Sequence, residues 1–268
     1  MKNRCSLIIS TYNWPAALNL CLQSVLHQSV LPDEVIIADD GSTEDTRTLI
    51  EGYQKHFPVP LLHQWHEDNG FRKTIILNKS LAQATGSYII QVDGDVVLHK
   101  AFIADHLAFA KPGTFVAGTR MNTSPKLMQT IIKQGKLNLS AFTPGLKNFF
   151  NGIRLPILSP FLQNYKSSVK NIFYAKGCNM AFWKSSLIAI NGYDEAFTGW
   201  GLEDSDLAVR LYNAGVKKRY LKMAGIVYHL WHQEFSRSDV AKNNQLLLET
   251  LNTKKSWAKR GIDQYLLH

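Results

Sequence analysis

The chain has 268 residues, is 45% hydrophobic and 19% charged, and carries a formal net charge of +9. Those totals suit one large α/β domain or two small ones, and they exclude a disordered chain, which lacks the apolar surface to offset its conformational entropy. No apolar run approaches the roughly 18 to 20 residues that cross a bilayer, and "MKNRCSLIISTYN" turns polar too early for a secretory leader, so a cytoplasmic protein is expected.

In chain order, "RCSLIIST" reads as a buried strand, β-branched and apolar before it ends in small polar residues. A helix should follow, capped by Asn13, with Pro15 in its first turn and Leu18, Leu22, Val25 and Leu26 at helical spacing. "DEVIIADDGS" is a second strand running into carboxylates, and "TEDTRTLIEGY" a helix with acids in its first turn. "PLLHQWHE" then reads as a strand, "KTIILNKSLAQA" as a helix and "GSYIIQVDGDVV" as one further strand. Alternation of this kind implies right-handed βαβ units and a parallel sheet, whose ligand crevice lies at the C-terminal ends of the strands. Thr11, Asp39, Asp40, Asp93 and Asp95 all fall at such ends.

After Val97 the alternation weakens. "SAFTPGLKNFFNGIRLPILSPFLQNY" mixes Pro, Gly and bulky apolar residues and predicts short helices and loops. Beyond it lie "FYAKGCNMAFWK", a helical "DSDLAVRLYNAG", a strand-like "GIVYHLWH" and a polar helix from Val240 to Lys259. The three cysteines, Cys5, Cys21 and Cys178, follow no metal-binding spacing and read as reduced core thiols. Trp183, Trp231 and Trp257 read as packing residues.

Mapping the charge says more than summing it. From His106 to Tyr193 there is no Asp or Glu, while eleven residues are Lys or Arg, so this block holds more than the whole net charge. A basic, apolar block suits an anionic partner or, more simply, a solubilising face. No nucleic-acid-binding motif accompanies it, so no nucleic acid partner is expected.

In "QVDGDVV" the two acids are two residues apart on an extended chain, which lets Asp93 and Asp95 converge on one locus. Paired carboxylate oxygens at a strand end suit a hard cation such as Mg²⁺ or Mn²⁺, usually shared with substrate phosphates. No phosphate-binding P-loop, dinucleotide fingerprint or nucleophile elbow is present. "FTGWGLEDSDLAVRL" places Glu203, Asp204 and Asp206 within four positions at a helix start. A helix dipole favours such charge, and Asp206 is spaced to pair with Arg210.

Together, "SLIISTYN", "IIADDGSTEDT", "NGFRKTIILNKSLAQATGSYIIQVDGDVV" and "FTGWGLEDSDLAVRL" resemble an inverting family-2 glycosyltransferase of GT-A fold, a Rossmann-like mixed sheet flanked by helices. "KGCNMAFWK…NGYDEAFTGWGLEDSDLAVRLYNAG" is similar to the galactosyltransferase-type region of bacterial chondroitin polymerases, animal β-1,4-galactosyltransferases and polypeptide GalNAc-transferases. The resemblance covers about four-fifths of the chain and leaves an insert from about Pro125 to Ile172 without a counterpart.

The resemblance implies that Thr11, Tyr12, Asp39 and Asp40 hold the uridine end of a UDP-sugar donor, and that Arg72 approaches its diphosphate or sugar. Asn78 would be structural. Asp93 would contact ribose and metal, Asp95 the metal, and His229, in preference to His232, would complete a Mn²⁺ or Mg²⁺ site. Asp204 would be the base that deprotonates the acceptor and Glu203 a sugar ligand, with Gly177, Asn179, Trp200 and Gly201 lining the sugar pocket. The whole chain would be one glycosyltransferase domain. Residues 1–100 would form its nucleotide half, 101–240 its acceptor half with the insert at about 125–172, and 241–268 a helical tail.

The expected acceptor is a glycan or lipid-linked glycan of a bacterial surface polysaccharide or lipopolysaccharide. Two alternatives remain at this level. A sugar-phosphate nucleotidyltransferase would carry a glycine-rich basic loop where this chain has "STYNWPAAL", and a carbohydrate-binding scaffold would have no use for carboxylates that repel without a metal. Phe142, Phe149, Phe150, Ile153, Leu155 and Phe161, interspersed with Lys147, Arg154 and Lys166, suggest either peripheral contact with the anionic inner membrane face or an acceptor-side lid.

Overall fold

In the computed structural model of the chain, described for residues 4–233 and 239–266, the first half runs β1 (Cys5–Thr11), α1 (Pro15–Leu26), β2 (Glu34–Asp39), α2 (Glu44–Gln54), β3 (Leu61–Trp65), α3 (Lys73–Gln83), β4 (Tyr88–Asp93) and β5 (Val96–Leu98). The second half continues α4 (Phe102–Phe109), β6 (Thr114–Gly118), β7 (Arg120–Thr123), α5 (Pro125–Gln134), β8 (Leu146–Lys147), α6 (Ser159–Leu162) and β9 (Met180–Trp183). It closes with α7 (Lys184–Ile188), α8 (Glu203–Asn213), β10 (Lys217–Leu221), β11 (Val227–His229) and α9 (Val240–Thr253). Seven strands form the main sheet in the order β10-β6-β9-β4-β1-β2-β3, and four form a smaller one in the order β5-β11-β7-β8.

Period-two alternation explains the layers. Leu7, Ile9, Val35, Ile37, Ile90 and Val92 face one core, shared with α1, α2 and α4. Ile8, Ile36, Ala38 and Ile89 face the other, shared with α3, α8 and α9. Strands buried on both faces read as continuous apolar runs, and each fully buried Ile contributes about 1.5–3 kcal/mol. The parallel register aligns Ser10 with Asp93 and Thr11 with Asp39, so the polar ends of β1, β2 and β4 finish on one edge.

Antiparallel β9 sits between β4 and β6, so the sheet is mixed, as the resemblance implies, and not purely parallel as the strand and helix alternation alone suggests. Other details depart from the sequence expectation. The predicted strand through "QVDGDVV" breaks at Gly94, whose N–H donates to the Ser10 carbonyl at 2.6 Å. A Cβ there would lie 3.0 Å from that carbonyl oxygen, which is why the turn needs glycine. Asn13 does not cap α1. It has φ +44, its side-chain oxygen accepts from the Thr43 N–H at 2.8 Å, and Trp14 is the cap residue. Within the insert, α5 is a regular helix, started by Ser124 at its cap and closed by Gly135 at φ +60.

The rest of the insert seals an edge. Residues 155–163 lie along β10: Leu155 N–H donates to the Met223 carbonyl and Tyr220 N–H to the Gln163 carbonyl, both at 2.9 Å. The Ser159 hydroxyl donates to the Lys222 carbonyl at 2.6 Å, and Arg219 Nε to Gln163 Oε1 at 2.7 Å. An open edge strand invites pairing with another chain, and this segment occupies those groups. Helix α9 ends at Thr253, short of the predicted Lys259, because Lys254 turns left-handed at φ +53. No helix among the described residues is long and apolar enough to cross a membrane.

Candidate active site

The edge where β1 and β4 finish opens into a cavity of about 830 Å³, closed on its other sides by the starts of β5 and α8 and by the end of β11. β11 pairs antiparallel with β5, which places His229 opposite Val96 and therefore beside Asp95. The Leu230 N–H donates to the Asp95 carbonyl at 2.9 Å and fixes that approach. His229 Nε2 lies 3.6 Å from Asp95 Oδ1 and His232 Nε2 3.3 Å from Asp95 Oδ2. Ligand atoms of Asp95, His229 and His232 all fall within 4.8 Å of one another. His232 Nδ1 is 2.8 Å from the Gln233 carbonyl, an arrangement that leaves Nε2 facing the carboxylate.

On another wall, α8 begins after a turn in which Gly199, Gly201 and Leu202 have φ of +67, +106 and +75. That sequence of left-handed residues drives Glu203 and Asp204 into the cavity wall. Asp204 Oδ2 accepts the Gly177 N–H at 2.7 Å and Oδ1 accepts the Tyr193 hydroxyl at 3.3 Å. Glu203 is 8% exposed, and its Oε2 has no hydrogen-bond partner among the described residues. Asp206 is not solvated. Its Oδ2 accepts Arg210 Nε at 2.7 Å, its Oδ1 the Thr250 hydroxyl at 2.7 Å, and both charged residues are fully buried. Arg210 also donates to the carbonyls of Ile190 and Gly192, so the pair anchors α8 from behind.

Between the walls stands Lys73, from the first turn of α3, with Nζ 2.7 Å from Asp93 Oδ1. The Ser10 hydroxyl donates to the same oxygen at 2.8 Å. Burial opposes ionisation of Asp93, but Lys73 and Ser10 outweigh it and hold the carboxyl below its usual range. Burial pushes Glu203 up to about 7, with the Asp204 charge adding and Lys73 opposing. Asp204 is raised too, by burial first, against the pull of Lys73. Asp95 is raised by burial that His229 only partly offsets, and burial lowers His229 despite Asp95. The cavity therefore holds carboxylates whose charges Lys73 balances only in part.

Most of the sequence-predicted residues converge here. Thr11, Tyr12, Asp40, Asp93, Asp95, Gly177, Trp200, Gly201, Glu203, Asp204 and His229 all line the cavity. Three do not. Asp39 is fully buried beneath it, its oxygens taken by the Ser42 N–H at 2.8 Å and His63 Nε2 at 2.9 Å. The Arg72 guanidinium turns away to the Glu67 carbonyl at 2.7 Å, while its backbone N–H, at 2.9 Å, tethers Asp40. Asn179 pins together the connections that lead into β7 and β11, donating to the carbonyls of Thr119 and Gly225 at 2.8 Å. Asn78 is structural, holding Tyr193 through both its backbone groups.

Three cavity residues were not singled out by sequence. Lys73 carries no site expectation from the sequence, His232 enters only as the less favoured histidine and Trp231 only as a packing residue, yet Trp231 is 44% exposed and lines the cavity. Trp257, at 52% exposure, is not a core residue either. The signal for His232 was present in "HLWH": beyond a strand end the chain turns back, so a residue three positions on can face the same acid.

Known proteins agree with this architecture. A chondroitin synthase of Escherichia coli is 25% identical over 248 residues, covering 84% of this chain and 34% of that protein. This chain spans roughly half or less of the lengths of the first curated relatives it matches. Staphylococcus aureus TarS, solved as residues 1–349 in complex with UDP-GlcNAc, superposes with a TM-score of 0.66 at 18% identity, over 98% of this chain and 69% of that one. A mannosyltransferase of Pyrobaculum calidifontis in complex with GDP-Man and Mn²⁺ superposes with a TM-score of 0.57 at 19% identity, over 85% of this chain and 57% of that one. The family model described as the N-terminal domain of galactosyltransferase matches residues 161–233, where α8 and β11 supply Glu203, Asp204 and His229. The model of glycosyl transferase family 2 matches residues 6–188, about two-thirds of the chain, so this chain of GT-A fold belongs to that family.

Proposed function

We propose that the chain transfers a sugar, with inversion, from a UDP-sugar to a hydroxyl of a glycan or lipid-linked glycan, assisted by a divalent cation. The observation that carries this reading is the shared cavity of two unlike groups: a carboxylate and imidazole cluster on one wall and oriented carboxylates on another. Support for the donor comes from TarS, solved with UDP-GlcNAc, and for the cation from the mannosyltransferase solved with GDP-Man and Mn²⁺.

The residues present fit a cation. Asp95 Oδ1 is buried with no hydrogen-bond partner among the described residues, although two imidazoles stand near it. Asp95, His229 and His232 would hold the ion, a mixed oxygen and nitrogen set that favours Mn²⁺ over Mg²⁺. When bound, the ion would stabilise negative charge on the departing diphosphate. Asp93, committed through one oxygen to Lys73 and Ser10, serves the donor's ribose side and keeps Lys73 aimed at the cavity.

Thr11, Tyr12 and Asp40 form the nucleoside end, and Trp200 with Gly201 the sugar platform. The acceptor oxygen attacks the anomeric carbon as the bond from that carbon to the diphosphate oxygen breaks, and UDP departs. Asp204 takes the acceptor's proton, held in place by the Gly177 N–H and the Tyr193 hydroxyl. Glu203 offers its unpartnered oxygen to a sugar hydroxyl. One observation favours a second assignment: with its carboxyl near 7 and an oxygen free of hydrogen bonds among the described residues, Glu203 has the acidity of a general base.

A panel of UDP-sugars, assayed for Mn²⁺-dependent UDP release with Asp204→Asn and Glu203→Gln alongside, tests these assignments. Loss of about 10²-fold or more in kcat for Asp204→Asn, with donor KM little changed, supports Asp204 as base. Loss confined to Glu203→Gln moves the role to Glu203, and metal-independent turnover overturns the cation site.

A further inference from the structure

We propose that the segment from about residue 136 to 174 seats the protein on a bilayer surface carrying anionic lipid, with the cavity mouth beside that surface. The first observation is the direction in which this segment faces. Its backbone and polar groups are bound inward to β10, through Leu155, Ser159 and Gln163. A strap that merely covered a sheet edge would bury its apolar side chains as well. Leu139 is buried in that way, but other bulky ones point outward: Phe161 is 82% exposed, Phe142 81%, Ile157 77% and Phe150 68%. Phe142 packs edge-on against Phe149 at 5.2 Å, and Phe149 against Phe150 at 5.6 Å, so these rings form one surface cluster.

The second observation is charge. No carboxylate occurs between residues 106 and 193, and Lys136, Lys147 and Lys170 are exposed along the same stretch. Arg154 is excluded from that count because it forms a paired contact with Asp105 at 2.6 Å and 3.0 Å. Apolar rings interspersed with unopposed lysines match the two layers of an anionic interface, hydrocarbon boundary and phosphate. A second copy of the chain fits less well, since a two-fold contact would bring two acid-free, lysine-bearing segments together.

The third observation is position. Lys147 lines the cavity and is two residues from Phe149, so the ring cluster borders the mouth. A protein seated through these rings would meet an acceptor carried on a lipid without extracting it. For its purpose this inference rests on the proposed transfer reaction; for its test it does not, because vesicle binding requires neither donor nor acceptor.

The experiment is co-sedimentation of the full chain with large unilamellar vesicles, either phosphatidylcholine alone or equal parts phosphatidylcholine and phosphatidylglycerol. Sedimentation with the anionic vesicles, weakening as salt rises, is expected, with little on the neutral ones. Phe142→Ser with Phe161→Ser should lower the partition coefficient about tenfold or more. Lys136→Ala with Lys170→Ala should lower it about fivefold per charge. These side chains are exposed, so unchanged circular dichroism and melting are expected and keep a binding loss interpretable. Equal binding to both vesicle types, no binding to either, or a dimer that Phe142→Ser with Phe161→Ser dissociates while vesicles leave the protein in solution would each overturn the proposal.

Discussion

Gly177→Ala tests the proposed base without touching its chemistry. The Gly177 N–H donates to Asp204 Oδ2 at 2.7 Å, and a Cβ added at Gly177 would stand 2.8 Å from both Asp204 oxygens and 3.1 Å from Cγ. Ordinary contact begins at 3.4 Å, so the carboxylate must move by about 0.6 Å (3.4 minus 2.8) or rotate. Retreat is restricted, because Tyr193 hydrogen-bonds Oδ1 and α8 is anchored through Asp206 and Arg210. A misplacement near 1 Å lowers turnover by about 10²-fold, so kcat should fall between about tenfold and a hundredfold. Gly177 is not among the residues with positive φ, so alanine adds no backbone strain, and the crowding against Asp204 should cost about 1–3 kcal/mol of stability. The assay is UDP release at saturating donor and acceptor, beside a melting curve. In an Asp204→Asn background the alanine should add nothing further, since the group it displaces is already disabled. Wild-type kcat in Gly177→Ala would refute the reasoning: the Asp204 oxygens would then not need their observed position.

Other consequences are as direct. Burial raises Glu203 from an ordinary 4.5 to about 7, so protonation favours the folded state and this stabilisation is lost as pH rises through that window. Glu203→Gln should therefore gain on the wild type by roughly 2–3 kcal/mol between pH 5 and pH 8 in urea unfolding, and a gap independent of pH would count against it. His232→Ala should weaken Mn²⁺ binding at least about tenfold by electron paramagnetic resonance titration without donor, whereas unchanged affinity would remove His232 from the ligand set. Arg210→Met leaves Asp206 buried without its cation and should destabilise by about 3–5 kcal/mol in denaturant unfolding; a loss under about 1 kcal/mol would mean that Thr250 alone suffices.

The first half of the chain was legible because each of its elements carries a local signal. β1, β2 and β4 are apolar runs ending in polar residues, and their shared edge follows from parallel pairing. Side-chain direction was not legible. Asp39 and Asp40 are neighbours in sequence, yet one turns down to His63 and the other up to the cavity, a choice fixed by strand alternation. Arg72 and Lys73 divide in the same way at a helix start, and only Lys73 reaches Asp93. Asn179 had the right motif but lies a layer below, clamped by three backbone and imidazole partners from distant parts of the chain. β6 and β10 escaped notice because their pairing joins residues about a hundred positions apart, and no periodicity within either strand reports it.

Helix α9 has a bearing on when the site exists. Asn243 donates to the carbonyls of Thr198 and Gly201, and Thr250 to Asp206, so the turn bearing Trp200 and Glu203 is held by residues some forty positions downstream. The strands β1, β2 and β4, whose ends lie at the cavity edge, are complete by Asp93. During synthesis, at about 5–20 residues per second, the earlier half can therefore fold for several seconds before the braces behind α8 leave the ribosome. On the proposed assignment, a nascent chain would acquire its donor-facing strands early and its acceptor-activating carboxylates late, so catalytic competence would be the last property the polypeptide gains.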